Sequence, residues 1–213
     1  MGYGFCVRMQ GPWALFTRPE CKGERVTYET ITPTAARGAL ESVYWHPGMR
    51  YMIDRITVLS PIRYDSIRRN EVGAVATLGN IRQAMNGKPY HLDATAERQQ
   101  RASVLLRDVD YLVDAHFALV PDKLAEGDDE KKFYNILLRR LRAGQHYAQP
   151  YLGTREFPAQ LTLVEGERPV SCYANEAERD LGFMLLDVEY GESTATPRFF
   201  HAMMRHGEIE VKA

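Results

Sequence analysis

The sequence predicts an α+β protein, with a ferredoxin-like (RRM-type) domain over residues 1–152 and a small C-terminal antiparallel β-sheet over residues 153–213. Two observations carry this prediction. Segments with alternating apolar residues and segments with helical spacing follow one another in the order strand, helix, strand, strand, helix, strand, which is the ferredoxin-like pattern. A long polar insertion precedes the third strand, and three further strand-like segments follow the fourth.

The composition limits the class of protein. With 213 residues, 45% of them hydrophobic and 26% charged, the chain is long enough to bury a core and does not resemble a disordered protein. The formal net charge of −1 neither requires nor excludes a nucleic-acid partner, because a basic face can be balanced by an acidic one.

Cysteine usage and hydropathy bear on cofactors and location. The three cysteines lie far apart without C-x-x-C spacing, so no metal site and no other cofactor is predicted. No stretch approaches the ~20 apolar residues of a membrane helix, and residues 1–10 lack the basic start and apolar run of a signal peptide. We therefore expect a cytoplasmic protein without a membrane partner.

The first half of the chain predicts two strands around one helix. Alternation over residues 3–10 predicts a strand that ends at Gly11-Pro12, and an irregular segment then spans residues 13–30. Thr32 is a good N-cap and Pro33 suits the first helical position, so a helix begins there and ends before His46-Pro47-Gly48. Residues 49–59 read as the second strand.

The insertion covers residues 64–101, which are polar, interrupted by glycines and predicted to form a hairpin plus a loop. Residues 102–118 then predict a long strand, with apolar residues on one parity and Asp110, Asp114 and His116 on the other. A second helix is predicted to open with the charged run at 126–132 and to end near residue 142, where three arginines complement the helix dipole.

The remaining strands are predicted at residues 147–153, 159–164, 183–190 and 199–204. The first of these would complete the ferredoxin-like sheet, and the other three would form the C-terminal sheet. Neither a phosphate-binding loop, nor a nucleophile elbow, nor the RRM aromatic signature is present in the sequence.

Two side chains are candidates for chemistry from their positions. His116 shares the parity of Asp114, and a carboxylate beside a histidine favours its protonated form, which suits a general acid. A hydrogen-bonded histidine with no catalytic role is the alternative. Tyr44 lies one turn after Leu40, a spacing that predicts a core tyrosine and implies nothing about catalysis.

Four segments of the sequence are distinctive, namely ITPTAARGALESVYWHPGMR at residues 31–50, RRNE at 68–71, RDV at 107–109 and RRLRAGQHYAQPYLGTREF at 139–157. Together and in this order they resemble the CRISPR-associated Cas-five family, subtype I-C (the Dvulg or "d" variant). The resemblance implies a ferredoxin-like domain followed by a β-rich domain. It also implies cleavage of repeat RNA in precursor CRISPR transcripts, retention of the product, and membership of the interference complex beside its other subunits.

The resemblance also implies a catalytic set, namely a tyrosine after the first helix and an adjacent Lys-His pair on a later strand. Tyr44 in VYWHP matches the tyrosine and His116 in VDAHF matches the histidine. Ala115 stands where the family often has the lysine, so this chain departs from the pattern. A replacement cation is expected from His46, Lys22 or Arg25, which are candidates by proximity in the chain alone.

The reaction that fits this set is metal-independent attack of a ribose 2′-OH on the adjacent phosphate. Tyr44 would position the 2′-OH, since a tyrosine pKa near ~10 makes a poor base at pH 7, and His116 would protonate the leaving oxygen. The repeat hairpin would be held by cations that contact its phosphates. The predicted RNA-binding residues are Arg18, Lys22, Arg25, His46, Arg68, Arg69, Arg98 and Arg101.

Three other functions remain open from the sequence. The chain could hold the 5′ end of a guide RNA that another nuclease cuts, and Ala115 favours this reading. The same basic loops could bind duplex DNA through its shape. A small-molecule enzyme on the same scaffold would need a convergent polar pocket, which the sequence does not display.

Overall fold

The computed structural model describes residues 3–21, 23–191 and 194–211. The strands in these ranges are β1 (Phe5–Ala14), β2 (Arg25–Val26), β3 (Met49–Val58), β4 (Tyr64–Val72), β5 (Arg98–Leu119), β6 (Gln160–Leu163), β7 (Arg179–Tyr190), β8 (Ala195–Arg205) and β9 (Glu208–Glu210). They form one sheet in the order β6-β1-β5-β3-β9-β8-β7, while β2 and β4 pair with the first half of β5. The predicted α+β class is confirmed, as one large, mostly antiparallel sheet with few helices.

In the described part of the chain, three α-helices accompany the sheet: α1 (Pro33–Val43), α2 (Leu78–Met85) and α3 (Glu130–Arg142). The predicted start of α1 is confirmed, because Thr32 Oγ1 accepts a hydrogen bond from the Ala35 N–H at 3.2 Å. The core lies where α1 and α3 cover the sheet, with Leu40 and Phe133 fully buried. None of the helices in the three described ranges is long and apolar enough to cross a membrane.

The first strand does not end at Gly11-Pro12, as the sequence predicted. It continues to Ala14 because Gly11 pairs with Val109 and Trp13 pairs with Arg107. Gly11 also lets another segment come close, since a Cβ at this position would lie 2.6 Å from Leu152 Cδ1. Gly11-Pro12 therefore does not break the strand. Gly11 is a position inside β1 where the segment around Leu152 packs closely.

The predicted hairpin in the insertion is present, but it is longer than expected. Strand β4 pairs with the first nine residues of β5 in a two-stranded arm. The arm also carries α2, which the sequence did not predict and which buries none of its residues. Thr77 caps this helix through the Asn80 N–H at 3.2 Å.

The fourth strand predicted at residues 147–153 is wrong, because that segment contributes only an isolated bridge between Tyr151 and Pro158. Its place beside β1 is taken by β6, where Val7 pairs with Leu163. The segment instead crosses the end of β1, and Gly153 has a φ of +85° against the Leu15 carbonyl.

The other three predicted strands are confirmed as β6, β7 and β8. They belong to the same sheet as the first half of the chain, since β6 hydrogen bonds to β1 and β9 hydrogen bonds to β3. The domain boundary between residues 152 and 153 stays a prediction.

Asp187 on β7 is an electrostatic link between β7, α1 and β3. Its carboxylate accepts two hydrogen bonds from Arg37, at 2.7 and 2.8 Å, and is also paired with Arg50. Burial raises the pKa of Asp187, but hydrogen bonds from Arg37 and the Val188 N–H outweigh it and lower the pKa to about 2.

Replacing Asp187 with Asn should therefore lower the free energy of unfolding by about 2 kcal/mol at pH 7. The folded-state pKa lies below the ordinary value, so this stabilisation is present above about pH 4 and disappears as the pH falls to about 2. Urea unfolding of the wild type and the variant at several pH values measures this difference in the free energy of unfolding. Glu189→Gln is the matched control, because Glu189 forms an exposed pair with Arg198 and should change stability by less than about 0.5 kcal/mol. Equal losses in the two variants would contradict the assignment.

Candidate nucleic-acid and catalytic site

Tyr44 lies at the C-terminal end of α1, against α3. Its side chain is largely buried, with 8% of the residue exposed, and its ring centroid lies 6.3 Å from that of Phe133. The Arg140 guanidinium lies 5.1 Å from the Tyr44 ring centroid and donates a hydrogen bond to the Val43 carbonyl at 2.7 Å. The Tyr51 hydroxyl donates to the Tyr44 carbonyl at 2.8 Å. The position of Tyr44 is therefore fixed by both backbone and side-chain contacts.

The electrostatic surroundings of Tyr44 favour a protonated phenol. Burial raises the pKa of Tyr44, while the positive charges of Arg140 and Lys132 act in the opposite direction. A phenol that keeps its proton at neutral pH can donate a hydrogen bond and orient a hydroxyl, but it is a poor base. This agrees with a positioning role.

His46 lies on the same side of the sheet as Tyr44. Its Nδ1 accepts a hydrogen bond from the Gly48 N–H at 3.1 Å, and its ring lies 4.7 Å from the Phe133 ring. Its Nε2 lies 3.6 Å from the Asp128 carboxylate, which Lys132 Nζ contacts at 2.9 Å. His46 thus holds the turn after α1 and lies beside the Asp128–Lys132 ion pair.

His116 projects from the opposite face of the sheet. In β5, Ala115 and Phe117 are 1% exposed and belong to the core, so the intervening His116 points away from the helices. Its Nδ1 lies 2.9 Å from Asp54 Oδ2. Asp54 occupies the irregular point of β3, where the register shifts between Ile53 and Arg55. The carboxylate orients the ring, and the side chain of His116 remains about 37% exposed.

The structure does not bring Tyr44 and His116 into contact. Within the described ranges, no hydrogen bond, ion pair or ring contact joins them. Phe133 lies between their neighbourhoods. Its ring centroid is 6.3 Å from that of Tyr44 and 6.5 Å from that of Phe117, the residue after His116. The two residues therefore lie at one end of the sheet but on opposite faces.

An open strand edge connects these two faces. Strand β1 begins at Phe5, which pairs with Ala115, so β3 alone pairs with the last residues of β5. A cleft of about 450 Å³ lies at this edge and is lined from both faces, by Tyr134 and Leu138 of α3 on one side and by Asp54 and Asp114 on the other.

Ala115 lies at the position where the resemblance implies a lysine. It is 1% exposed and packs in the core, and it therefore supplies no cation to either face. The cations beside Tyr44 are Arg140 and Lys132, both on α3. Sequence reasoning missed them, because the arginines at the end of α3 already had a sufficient explanation in the helix dipole.

The predicted cations on and beside the arm fall into two groups. Arg25 makes a two-point ion pair with Glu71, at 2.9 and 3.1 Å, and Arg101 lies 3.8 Å from the same carboxylate. Arg69 is paired with Glu156. These three charges are already balanced within the protein. Arg25 also lies on the arm rather than beside Tyr44, so it does not replace the missing lysine.

Arg68 and Arg98 differ from that group. In the part of the chain that the structure describes, neither makes an ion pair, and both lie on the β4–β5 arm, where Arg68 pairs with Ala102 and Arg98 with Val72. Arg18 packs over the Tyr28 ring at 4.6 Å and lies 3.4 Å from Glu20. Lys22 lies outside the described residues.

The described ranges contain no group of three or more His, Cys, Asp or Glu side chains arranged to hold a metal ion. The site therefore consists of Tyr44 with Arg140, Lys132 and His46 on the helix face, and of the Asp54–His116 pair on the other face. A phenol, two imidazoles and two cations are groups that can orient a hydroxyl, transfer a proton and offset negative charge.

Comparison with known families gives a match along nearly the whole chain. The sequence model of the Cas5d family, described as CRISPR-associated protein (Cas_Cas5), matches residues 4–212. A relative from Mannheimia succiniciproducens is 41% identical over 211 residues, covering 96% of this chain and 93% of the relative. A relative from Thermus thermophilus is 39% identical over 225 residues, covering 97% of this chain and 90% of the relative. Both relatives are named CRISPR pre-crRNA endoribonuclease Cas5d.

Solved structures share the fold. One described as a CRISPR-associated protein superposes with a TM-score of 0.73 at 25% identity, covering 100% of this chain and 93% of that chain. A chain from a CRISPR RNA-guided surveillance complex gives a TM-score of 0.54 at 14% identity, covering 98% of this chain and 88% of that chain. The second likeness concerns the fold alone.

Proposed function

The chain belongs to the Cas5d family of CRISPR-associated proteins, and we propose that it cleaves precursor CRISPR RNA within the repeats as an endoribonuclease. The observation that carries this proposal is the family match over residues 4–212, together with two relatives whose printed names state that activity. The proposal extends to retention of the processed RNA at a repeat hairpin and to membership of the type I-C interference complex.

The proposed reaction is an internal transfer that needs no metal ion. The ribose 2′-OH attacks the neighbouring phosphorus, the bond from phosphorus to the 5′ oxygen breaks, and the products carry a 2′,3′-cyclic phosphate and a 5′-OH. The 2′-OH proton passes to water, and the leaving 5′ oxygen takes up a proton from a general acid. Negative charge grows on the phosphoryl oxygens in the transition state and is stabilised by nearby cations.

The roles of the two predicted catalytic residues follow from their surroundings. We assign Tyr44 to positioning the 2′-OH, because its phenol is fixed by its neighbours and stays protonated at neutral pH. His116 is assigned as the general acid, with Asp54 as the positioning residue that orients its ring at 2.9 Å. Both roles concern one phosphodiester, so this assignment requires the RNA to bind where the two faces meet, at the end of β5.

Arg140 takes the role that the lysine at position 115 would have had. Its guanidinium lies 5.1 Å from the Tyr44 ring centroid and makes no ion pair in the described ranges, so it can offset the charge on the phosphoryl group. Lys132 also acts on Tyr44 through its charge, but it is already paired with Asp128 at 2.9 Å.

The ferredoxin-like assignment is part of the proposal. It is supported by the antiparallel order β6-β1-β5-β3, in which α1 connects β1 to β3 and α3 connects β5 to β6. The β4–α2 segment is then an insertion before the third strand of this unit, as its position in the chain suggests.

Incubating the purified protein with end-labelled repeat RNA, followed by gel filtration, tests the proposal. We expect one cut per repeat, with the hairpin product eluting with the protein. A second candidate, a subunit that only holds the 5′ end of a guide RNA, is favoured by the buried Ala115. Tight RNA binding without a cut would support that candidate, and equal affinity for a DNA duplex of the same shape would favour duplex DNA as the ligand.

The two groups of arm cations give a prediction about RNA affinity. Arg68→Ala combined with Arg98→Ala should lower the slope of log affinity against log salt by about 1 to 2, because both guanidinium groups lack an ion pair in the described chain and are free to contact phosphates. Filter binding at several salt concentrations measures the slope. Arg25→Ala is the control and should change the slope less, because Glu71 already holds Arg25. An unchanged slope in the double variant would remove both residues from the RNA contact surface.

A further inference from the structure

Two large aromatic side chains near Tyr44 are exposed to solvent. Trp45 is 60% exposed and Tyr147 is 90% exposed, whereas Tyr44 between α1 and α3 is 8% exposed. Burying an aromatic side chain is worth about 1.5 to 3 kcal/mol, so folding alone gives no reason to leave these two rings in water. Exposed aromatic residues beside a binding site are candidates for contact with a ligand.

The backbones that carry the two rings are held at the same place. The Tyr147 N–H donates to the Ser42 carbonyl at 2.8 Å, and the Ala148 N–H donates to the same oxygen at 3.1 Å. Trp45 follows Ser42 by three residues, so their Cα atoms lie within about 11 Å of each other. Both residues therefore lie near the C-terminal end of α1, where the Ser42 and Val43 carbonyls are already satisfied.

The charges around this end of α1 fit a nucleic acid. Arg140 donates to the Val43 carbonyl, one residue after Ser42, and Gln145 donates back to the Arg140 carbonyl at 2.8 Å. Arg139 is exposed and makes no ion pair in the described chain. Aromatic rings beside unpaired arginines are the combination that binds single-stranded RNA, since bases stack on the rings and phosphates meet the cations.

We propose that Trp45 and Tyr147 form a stacking site for unpaired nucleobases of the RNA, next to the phosphate that is cut. This inference rests on the proposed function for the identity of the nucleic acid, and it adds a base-binding site to the Tyr44 cluster. Stacked bases on both sides of a phosphate hold the intervening ribose extended, which favours alignment of the 2′-OH with the leaving oxygen.

The experiment uses the intrinsic fluorescence of Trp45. The chain has 2 Trp residues, so Trp13→Phe leaves Trp45 as the sole source of tryptophan emission. Titration with a fully 2′-O-methylated repeat RNA, which cannot be cut at any position, should quench this emission. A fully paired RNA duplex of the same length should quench it much less, because its bases are stacked on one another.

Affinity measurements on variants provide the second readout. Trp45→Ala and Tyr147→Ala should each weaken binding of the methylated RNA by about 5- to 100-fold, while Tyr147→Phe should bind like the wild type. Phe183→Ala is the control, since Phe183 is 69% exposed on β7 and should not affect binding.

The outcomes separate this inference from the proposed function. Unchanged emission with the methylated RNA and unchanged affinity in both alanine variants would overturn the stacking site and would leave the surface to a protein partner. If the wild type still cut the natural repeat RNA, the proposed function would stand. Quenching and weakened binding without any cut in the natural RNA would overturn the nuclease and retain the stacking site.

Discussion

Replacing His116 with alanine is expected to slow cleavage of the repeat RNA by about 10²- to 10⁴-fold, with RNA affinity little changed. The leaving 5′ oxygen then has to take its proton from water. The side chain is about 37% exposed and outside the core, so the variant should fold normally. Single-turnover kinetics, with the protein in excess over the RNA and above the dissociation constant, measure the rate of the chemical step.

Two variants test whether His116 acts with Asp54. Asp54→Asn should slow cleavage less than His116→Ala, because the amide keeps a hydrogen-bonding group at 2.9 Å from the ring but orients it less firmly than the carboxylate. His46→Ala is the matched histidine variant. Loss of cleavage in His46→Ala with a normal rate in His116→Ala would contradict the assignment and place the general acid on the Tyr44 face.

Replacing Arg140 with alanine is expected to reduce the cleavage rate by about 10²- to 10³-fold, the magnitude typical for removal of a group that stabilises transition-state charge. The guanidinium lies 5.1 Å from the Tyr44 ring centroid, and in the proposed mechanism it supplies the cation that Ala115 lacks. Arg140→Lys should restore part of the rate, because it keeps the charge but not the planar contact with the ring.

The control for Arg140 is Arg139→Ala, one residue earlier on α3, whose side chain is exposed and free of ion pairs within the described ranges. Arg139→Ala should weaken RNA binding without slowing the chemical step at saturating RNA. Since Arg140 also donates to the Val43 carbonyl, thermal unfolding of both variants should be compared. Equal cleavage rates in the two variants would show that Arg140 has no role in the transition state.

Local signals predicted the elements whose stability depends on their own sequence. Thr32-Pro33 marked the start of α1, and the parity of Val109 to Phe117 assigned the core face of β5. The same parity placed His116 on the opposite face from the core, which is where it lies. In each case the residues that determine the feature are neighbours in the sequence, so a short stretch is enough to predict it.

The failures have non-local causes. Gly11-Pro12 read as a break because nothing in the sequence shows that the segment around Leu152 packs against Gly11. The fourth strand was placed too early because residues 147–153 cross the end of β1 instead of pairing along it. Arg140 was not predicted near Tyr44, since that contact joins residues 96 positions apart on two helices.

Cleavage in excess EDTA separates attack by a ribose 2′-OH from a metal-dependent cut. The repeat RNA and a copy with 2′-deoxyribose at the cut position are each incubated with the protein, and the product ends are then analysed. We expect one cut in the natural RNA, with a 2′,3′-cyclic phosphate and a 5′-OH, and no cut in the deoxy copy. Cleavage of the deoxy copy, or a cut abolished by EDTA, would exclude the proposed mechanism.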